Sequence, residues 1–319
     1  MSLLSLPMLE IFEEEHRQAI DLRQCGYLFL LTCPNDAKVF QNNVIKQRSL
    51  GVMTDWLDLD EVRRRLPDMK LNDVLAGTFH PKDGLADTNG VLMGYINSAK
   101  RLGVRTLTDA EVTNVTLQSG QVDTIHTTKG PISCKTVVNA CGPWASQVGH
   151  MVGLSLPISP LQRQWMTTTP IPEVAPDFPF VVDFARSLYF HREGDGLLTG
   201  MSNPDEQPSF DQNIDHVWEL THTHEAAARF PLLEHAGIVA RVAGLYEVTP
   251  DAHPIIGKTS VEGFYVAAGF SGHGFMHSPV TGILIAEEIL DGQATTLDIS
   301  ALDLTRFSVG KTPREYHVI

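Results

Sequence analysis

Nowhere in its 319 residues does this chain read G-x-G-x-x-G, the glycine fingerprint of a dinucleotide-binding strand–loop–helix. Cysteine is scarce: Cys25, Cys33, Cys134 and Cys141 form no C-x-x-C pair and no Cys/His spacing suited to zinc. A disulfide-stapled secreted domain is thereby excluded, and reduced thiols in a cytoplasmic protein are expected. No run of 18 apolar residues occurs, and the start lacks the basic region of a signal peptide, so neither a membrane span nor export is expected. Positive charge is also short. With 24 Lys and Arg against 38 Asp and Glu, the formal charge of −14 argues against nucleic acid or an anionic membrane surface as partner. Internal repeats and low-complexity segments are absent.

What is present is a core-forming composition, 43% hydrophobic, long enough for one large domain or two interleaved ones. The chain is organised around Gly263-Phe264-Tyr265-Val266-Ala267-Ala268-Gly269-Phe270-Ser271-Gly272-His273-Gly274-Phe275-Met276. A β-rich apolar run breaks into three glycines within six residues and continues as a helix-like segment to Leu290. Such a turn aims backbone N–H groups at one point, and glycine lets the backbone approach a flat ligand closely. An ordinary strand-to-helix turn is the plain alternative.

Along the chain, residues 1–23 read as a helix with an acidic Glu13-Glu14-Glu15 face, and Cys25 to Leu31 as a buried strand. Helices are predicted over 36–50 and 59–66. His80-Pro81-Lys82-Asp83-Gly84 is turn chemistry, and Asp87 caps a helix carrying Val91, Tyr95, Ala99 and Leu102 on one face. A strand at 104–107 and an antiparallel meander over 110–134 follow. The run Thr136-Val137-Val138-Asn139-Ala140-Cys141-Gly142-Pro143-Trp144-Ala145 is a second strand–glycine–helix switch. Prolines crowd residues 156–242, where short strands and one helix over 214–230 predict an antiparallel sheet with covering helices.

Taken together, Ala243-Gly244-Leu245-Tyr246, Thr249-Pro250-Asp251-Ala252-His253-Pro254, Gly269-Phe270-Ser271-Gly272-His273-Gly274-Phe275 and Asn139-Ala140-Cys141-Gly142-Pro143-Trp144 resemble the FAD-dependent amine and amino-acid oxidoreductases. This is the D-amino-acid-oxidase superfamily, with the likeness greatest to sarcosine oxidase of the β-subunit type. Pro81-Lys82-Asp83-Gly84 with Asp87 and the Leu302-Asp303-Leu304-Thr305-Arg306-Phe307 tail fit the same pattern, in the same order. The resemblance implies an α/β fold with an α+β second domain. It divides the chain into a discontinuous FAD-binding domain (76–152 and 243–295), a discontinuous antiparallel substrate domain (24–75 and 153–242), an N-terminal helix (1–23) and a tail (296–319). It implies that Gly269, Phe270, Ser271, Gly272, His273, Gly274, Phe275 and Met276 wrap the isoalloxazine, with the helix N-terminus stabilising charge on the reduced ring. Ala140, Cys141, Gly142 and Trp144 would line the ribityl and pyrophosphate side, Val112 the adenine end. Tyr246 and His273 are the implied catalytic residues, Tyr246 orienting substrate.

Departures from the family sharpen the expectation. Gly244 replaces the cysteine that holds flavin covalently in monomeric sarcosine oxidases, so FAD is expected to be non-covalent. Met276 replaces their oxygen-activating lysine, which favours a dehydrogenase passing electrons to another acceptor or partner subunit. Around Thr88-Asn89-Gly90 there is no histidine for covalent FMN. The family's opening ADP-binding unit has no counterpart. Translation from an internal methionine is the expected reason, and a natural form with very poor FAD affinity is the alternative.

The implied reaction is oxidation of the C–N bond of sarcosine or a similar secondary amine. Proline or a D-amino acid is the alternative substrate, although Tyr246 stands where D-amino-acid oxidases carry an arginine. A non-catalytic subunit of a flavoprotein complex is the alternative of another class. Arg163, Arg192 and His191 lie on strand-like pieces and are candidates for a substrate carboxylate, a surface role being the commoner one. His253 reads as a turn-packing residue, and Met166 as core.

Overall fold

The computed structural model describes residues 1–310. The N-terminal helix divides in two, α1 (Ser2–Glu10) and α2 (Phe12–His16), broken at Ile11 and ended by Arg17 in the left-handed region (φ 58°). Then come β1 (Tyr27–Leu31), α3 (Pro34–Ser49), β2 (Asp55–Leu57), α4 (Leu59–Arg65), β3 (Ala76–His80) and α5 (Thr88–Arg101). Caps set two of these starts. Asp58 accepts from the Glu61 amide at 2.8 Å while Glu61 accepts from the Asp58 amide at 3.2 Å, and Asp87 accepts from the Asn89 amide at 3.0 Å.

Residues 104–107, expected as a strand, join no ladder, and Val104 and Leu107 lie exposed on the path to the meander. The meander is β4 (Val112–Gln118), β5 (Gln121–Thr127) and β6 (Gly130–Ser133). β7 (Val137–Asn139), α6 (Ala145–His150), β8 (Ser159–Thr168), β9 (Phe180–Asp183), β10 (Leu188–Glu193) and β11 (Gly196–Met201) follow. The described chain ends through α7 (His216–Arg229), β12 (Ile238–Val248), β13 (Ile255–Lys258), β14 (Phe264–Ala268) and α8 (Gly274–Leu290).

Three sheets result. The largest has the order β12-β8-β11-β10-β9-β1-β3-β2, antiparallel except for the parallel β1–β9 pair. Both β3 and the whole of β12 lie in it. The segment 76–80 and residues 243–248 thus belong with the antiparallel sheet, contrary to the boundaries drawn at 76 and 243. Backbone pairing across β3–β1 and β12–β8 carries each strand past those points. The second sheet is β13-β14-β7, with β14 and β7 parallel.

Strand alternation gives the large sheet two unlike faces. Leu28, Leu30, Val181, Leu188, Phe190 and Leu197 point to one side, under α4 and α7, and are fully buried. Each contributes on the order of 1.5–3 kcal/mol by leaving water. Beneath them Arg229 is clamped by Asp183 at 2.7 Å and Asp73 at 2.8 Å, and Arg186 joins both carboxylates. The opposite face carries Tyr27, Phe180, Tyr189 and His191.

The tail motif is anchored by Arg306, whose guanidinium donates to buried Asp251 at 2.8 Å and to the His253 carbonyl at 2.8 Å. Residues 311–319 of the expected 296–319 tail lie outside the described residues. Among the described residues no helix is long and apolar enough to cross a membrane.

Candidate active site

β14 and β7 are parallel neighbours, so both glycine switches of the sequence emerge at the same end of the small sheet. After β14 the chain turns through Gly269 (φ 81°), Ser271 (φ 53°) and Gly272 (φ 95°) into α8, with His273 at its N-cap. Close approach fixes two of these glycines. A Cβ on Gly269 would meet Thr249 at 2.5 Å, and one on Gly272 would meet the Tyr246 ring at 2.7 Å.

Inside this corner sits a residue the sequence reading missed, Glu247. Its carboxylate accepts from the Gly269 amide at 2.8 Å, and its carbonyl accepts from the Ser271 amide at 3.1 Å. Burial pushes the carboxyl pKa up, against the amides of Gly269 and Phe270, which pull it down. The His273 amide donates to the Phe270 carbonyl at 2.9 Å. The amides of Ser271 and His273 are therefore spent within the chain and do not supply the outward-facing donors expected of them. Ser271 is 1% exposed, its hydroxyl accepting from the Thr249 amide at 3.2 Å, and Phe270 packs on Ile256, Val280 and Leu284. Both hold the loop's shape.

The other residues of the loop and of the second switch are placed as follows. His273 stacks on His277 at 5.9 Å, Phe275 packs beside Leu9 and Phe12, and Met276 is exposed. Gly142 (φ 53°) starts a short 3-10 turn through Trp144, and Asn139 ties that turn to β7 by accepting from the Cys141 amide at 3.3 Å. Ala140 and Cys141 lie between β7 and this turn, with Cys141 exposed. Trp144 stacks on Phe210 at 5.8 Å. A Cβ on Gly142 would have only the Glu247 carboxylate nearby, at 3.7 Å, so the two switches face each other across this carboxylate. Val112 opens β4, half-buried at the margin of the small-sheet core.

On the large sheet Tyr246 leans over Gly272 and forms one wall of a cavity of about 250 Å³. Arg163, Trp165, Tyr189 and Gly244 are among the residues that line the rest of it. The register that pairs Gly244 with Arg163 and Tyr246 with Leu161 puts all of them on one face. Tyr189 lies flat over Gly200, and a stack of rings extends the wall: Tyr189 to Phe180 at 5.6 Å, then Phe180 to Tyr27 at 4.4 Å. Burial raises the pKa of all three phenols, Tyr27, Tyr189 and Tyr246, so each is held protonated.

Of the polar candidates, Arg163 lines this cavity. Arg192 instead serves its own turn, donating to the Gly194 carbonyl at 3.0 Å. His191 stacks on Phe180 at 5.2 Å, burial depressing its pKa. Met166 is buried on the sheet's far face, and His253 engages through its backbone. The aromatic wall had one sequence signal: rings at alternate positions in Tyr27-Leu28-Phe29 and in Tyr189-Phe190-His191, one parity core and the other not.

Bare backbone at Gly142 and Gly244, the latter with nothing within 4 Å of its missing Cβ, suits a flat ring laid between the two sheets. A profile described as "FAD dependent oxidoreductase" matches residues 1–288. The chain belongs to this family. FAD is the cofactor of the family.

Among relatives, mitochondrial dimethylglycine dehydrogenase of Rattus norvegicus is 28% identical over 325 aligned positions, which cover 95% of this chain and 38% of the relative. Mitochondrial sarcosine dehydrogenase of Mus musculus is 27% identical over 301 positions, covering 89% and 32%. The chain thus spans about a third of the length of these curated relatives. The crystal structure of L-proline dehydrogenase from P.horikoshii superposes with a TM-score of 0.90 at 30% identity, covering 98% of this chain and 83% of that one.

Proposed function

We propose that this chain oxidises the C–N bond of a small secondary or tertiary amine, sarcosine or another N-methyl amino acid, with non-covalent FAD. The observation that carries the reading is the seat of Tyr246: its ring rests on Gly272 of the glycine loop and walls a cavity of about 250 Å³, room for a small ligand only. FAD when bound supplies the hydride acceptor. The chain's part is to position the amine. Tyr246, protonated at any physiological pH, presents a hydroxyl at the cavity wall for hydrogen bonding to the substrate. The ring stack of Tyr27, Phe180 and Tyr189 keeps water from the reacting carbon. Arg163 beside them disfavours the ammonium form of a bound amine, leaving the nitrogen lone pair available. Loss of hydride from the carbon attached to nitrogen would then give an iminium ion, which water hydrolyses to the dealkylated amine and an aldehyde. His273, stacked on His277 at the α8 N-terminus, is the second residue proposed to neighbour the flavin.

The names of the dehydrogenases above support this substrate class. Gly244, which has no nucleophile, supports non-covalent attachment. Met276 in the loop's last position supports an acceptor other than oxygen, a partner subunit or carrier. Proline is the second substrate reading, favoured by the 0.90 TM-score to a proline dehydrogenase. The four unbridged cysteines suit a reducing compartment, proposed here as the cytoplasm, and fractionation against mitochondrial markers checks it.

The test is the visible spectrum of the purified chain under argon. Flavin bands bleached by sarcosine, N,N-dimethylglycine or proline support the reading and rank the substrates. A colourless chain that takes up no added FAD sinks it and favours a non-catalytic subunit. Tyr246→Phe should leave the flavin bands in place and lower turnover about 10-fold or more, the loss of one hydrogen bond.

A further inference from the structure

Building on the proposed amine oxidation, we propose that Arg163 seats the carboxylate of the substrate and so restricts the cavity to amino acids over uncharged amines. The guanidinium lines the cavity, yet its protein contacts leave most of its donors unused. One Nη donates to the Gln162 carbonyl at 2.9 Å, and the face lies 5.2 Å from the Tyr246 ring centroid. Its Nε is buried without a hydrogen-bond partner, and no carboxylate comes within ion-pair distance among the described residues. Glu206 and the neighbouring phenols act on it only at longer range.

The other arginines drawn into this sheet differ. Arg229 has Asp73 and Asp183, Arg186 has Asp73, Asp183 and Glu225, and Arg241 has Glu219 at 2.6 Å. A half-buried cation is costly unless an anion meets it. Arg163 is built like its neighbours but lacks the anion they have, and the space beside it, above Gly244, is open. A carboxylate entering there meets a planar fork of N–H donors, which matches its two oxygens. With the carboxylate held at Arg163 and the hydroxyl of Tyr246 close by, the amine end is left to face the glycine loop.

The experiment compares wild type, Arg163→Gln and Arg163→Lys in two ways. Binding of acetate and of acetamide is followed by ligand-observed NMR, and oxidation of sarcosine and of sarcosinamide by steady-state kinetics. Arg163→Gln should weaken acetate binding and raise KM for sarcosine about 100-fold, with a clearly smaller change for acetamide and sarcosinamide. Arg163→Lys should recover part of this, keeping the charge but losing the fork. Wild type that binds acetamide as tightly as acetate overturns the proposal without any variant. So does a folded Arg163→Gln that shifts the acid and its amide equally. If wild type oxidises no amine yet binds acetate in an Arg163-dependent way, the proposed reaction fails and the carboxylate seat stands.

Discussion

The glycine corner and the aromatic face meet at Tyr246 but are made in opposite ways. The corner is local. Two strands of the small sheet end in glycines, and backbone bonds to Glu247 and Thr249, a few residues from one another, fix its shape. The face is long-range: Tyr27, Phe180, Tyr189 and Arg163 come from four strands, aligned only because the large sheet keeps its register. A motif can specify the first, whereas only the whole sheet can specify the second.

The sharpest way to break this comparison is to unclamp the sheet. Arg229→Leu leaves Asp183, which is 0% exposed, with the half-exposed Arg186 as its remaining ion-pair partner. A loss of about 3–5 kcal/mol is expected, read as a lower urea midpoint. Hydrogen exchange should show β9–β11 losing protection before β14. Equal loss in both would show one cooperative unit.

Protonation separates the regions next. Burial holds His222, behind the large sheet, down to about 4 from 6.5, with Glu219 pulling the other way. The unfolded imidazole binds its proton first, so this contribution is complete above pH 6.5 and is lost as pH falls towards 4. It amounts to about 3 kcal/mol. Glu247 runs the opposite way. Its folded pKa lies above the unfolded 4.5, so its contribution is complete below 4.5 and declines as pH rises through the folded value. Chemical denaturation from pH 4 to 7.5 should therefore flatten in His222→Gln and steepen in Glu247→Gln.

The smallest effects come from two glycines, one under the Tyr246 ring and one two residues before it in the chain. Gly272→Ala combines a φ of 95° with a contact at 2.7 Å and should cost about 1–3 kcal/mol, displacing the Tyr246 ring. Gly244→Ala meets nothing within 4 Å and should stay within about 0.5 kcal/mol, measured by thermal melts. Similar losses for both would show that the ring does not rest where the geometry puts it.

How much of this the sequence revealed follows the same divide. The glycine switches, the Asp87 cap, the meander and the tail motif were legible because their signals are contiguous. Tyr27, Phe180 and Tyr189 were not read as site residues, since each looks like core until β1 is known to pair with β9 and β9 with β10. Glu247 was passed over between Tyr246 and Thr249 because its role depends on where the next strand's glycine falls. The misplaced boundaries at 76 and 243 have the same cause: strand pairing decides where a segment belongs, and it is written in no single stretch. The strand expected at 104–107 failed for want of a pairing neighbour.

Because the Tyr246 ring lies where a methyl on Gly272 would have to go, the two positions are sterically coupled. A smaller side chain at 246 removes the contact an alanine at 272 would meet, leaving only the cost of its φ of 95°. Directed evolution of this pocket will therefore move faster in libraries that randomise both sites together than in any that take them in turn.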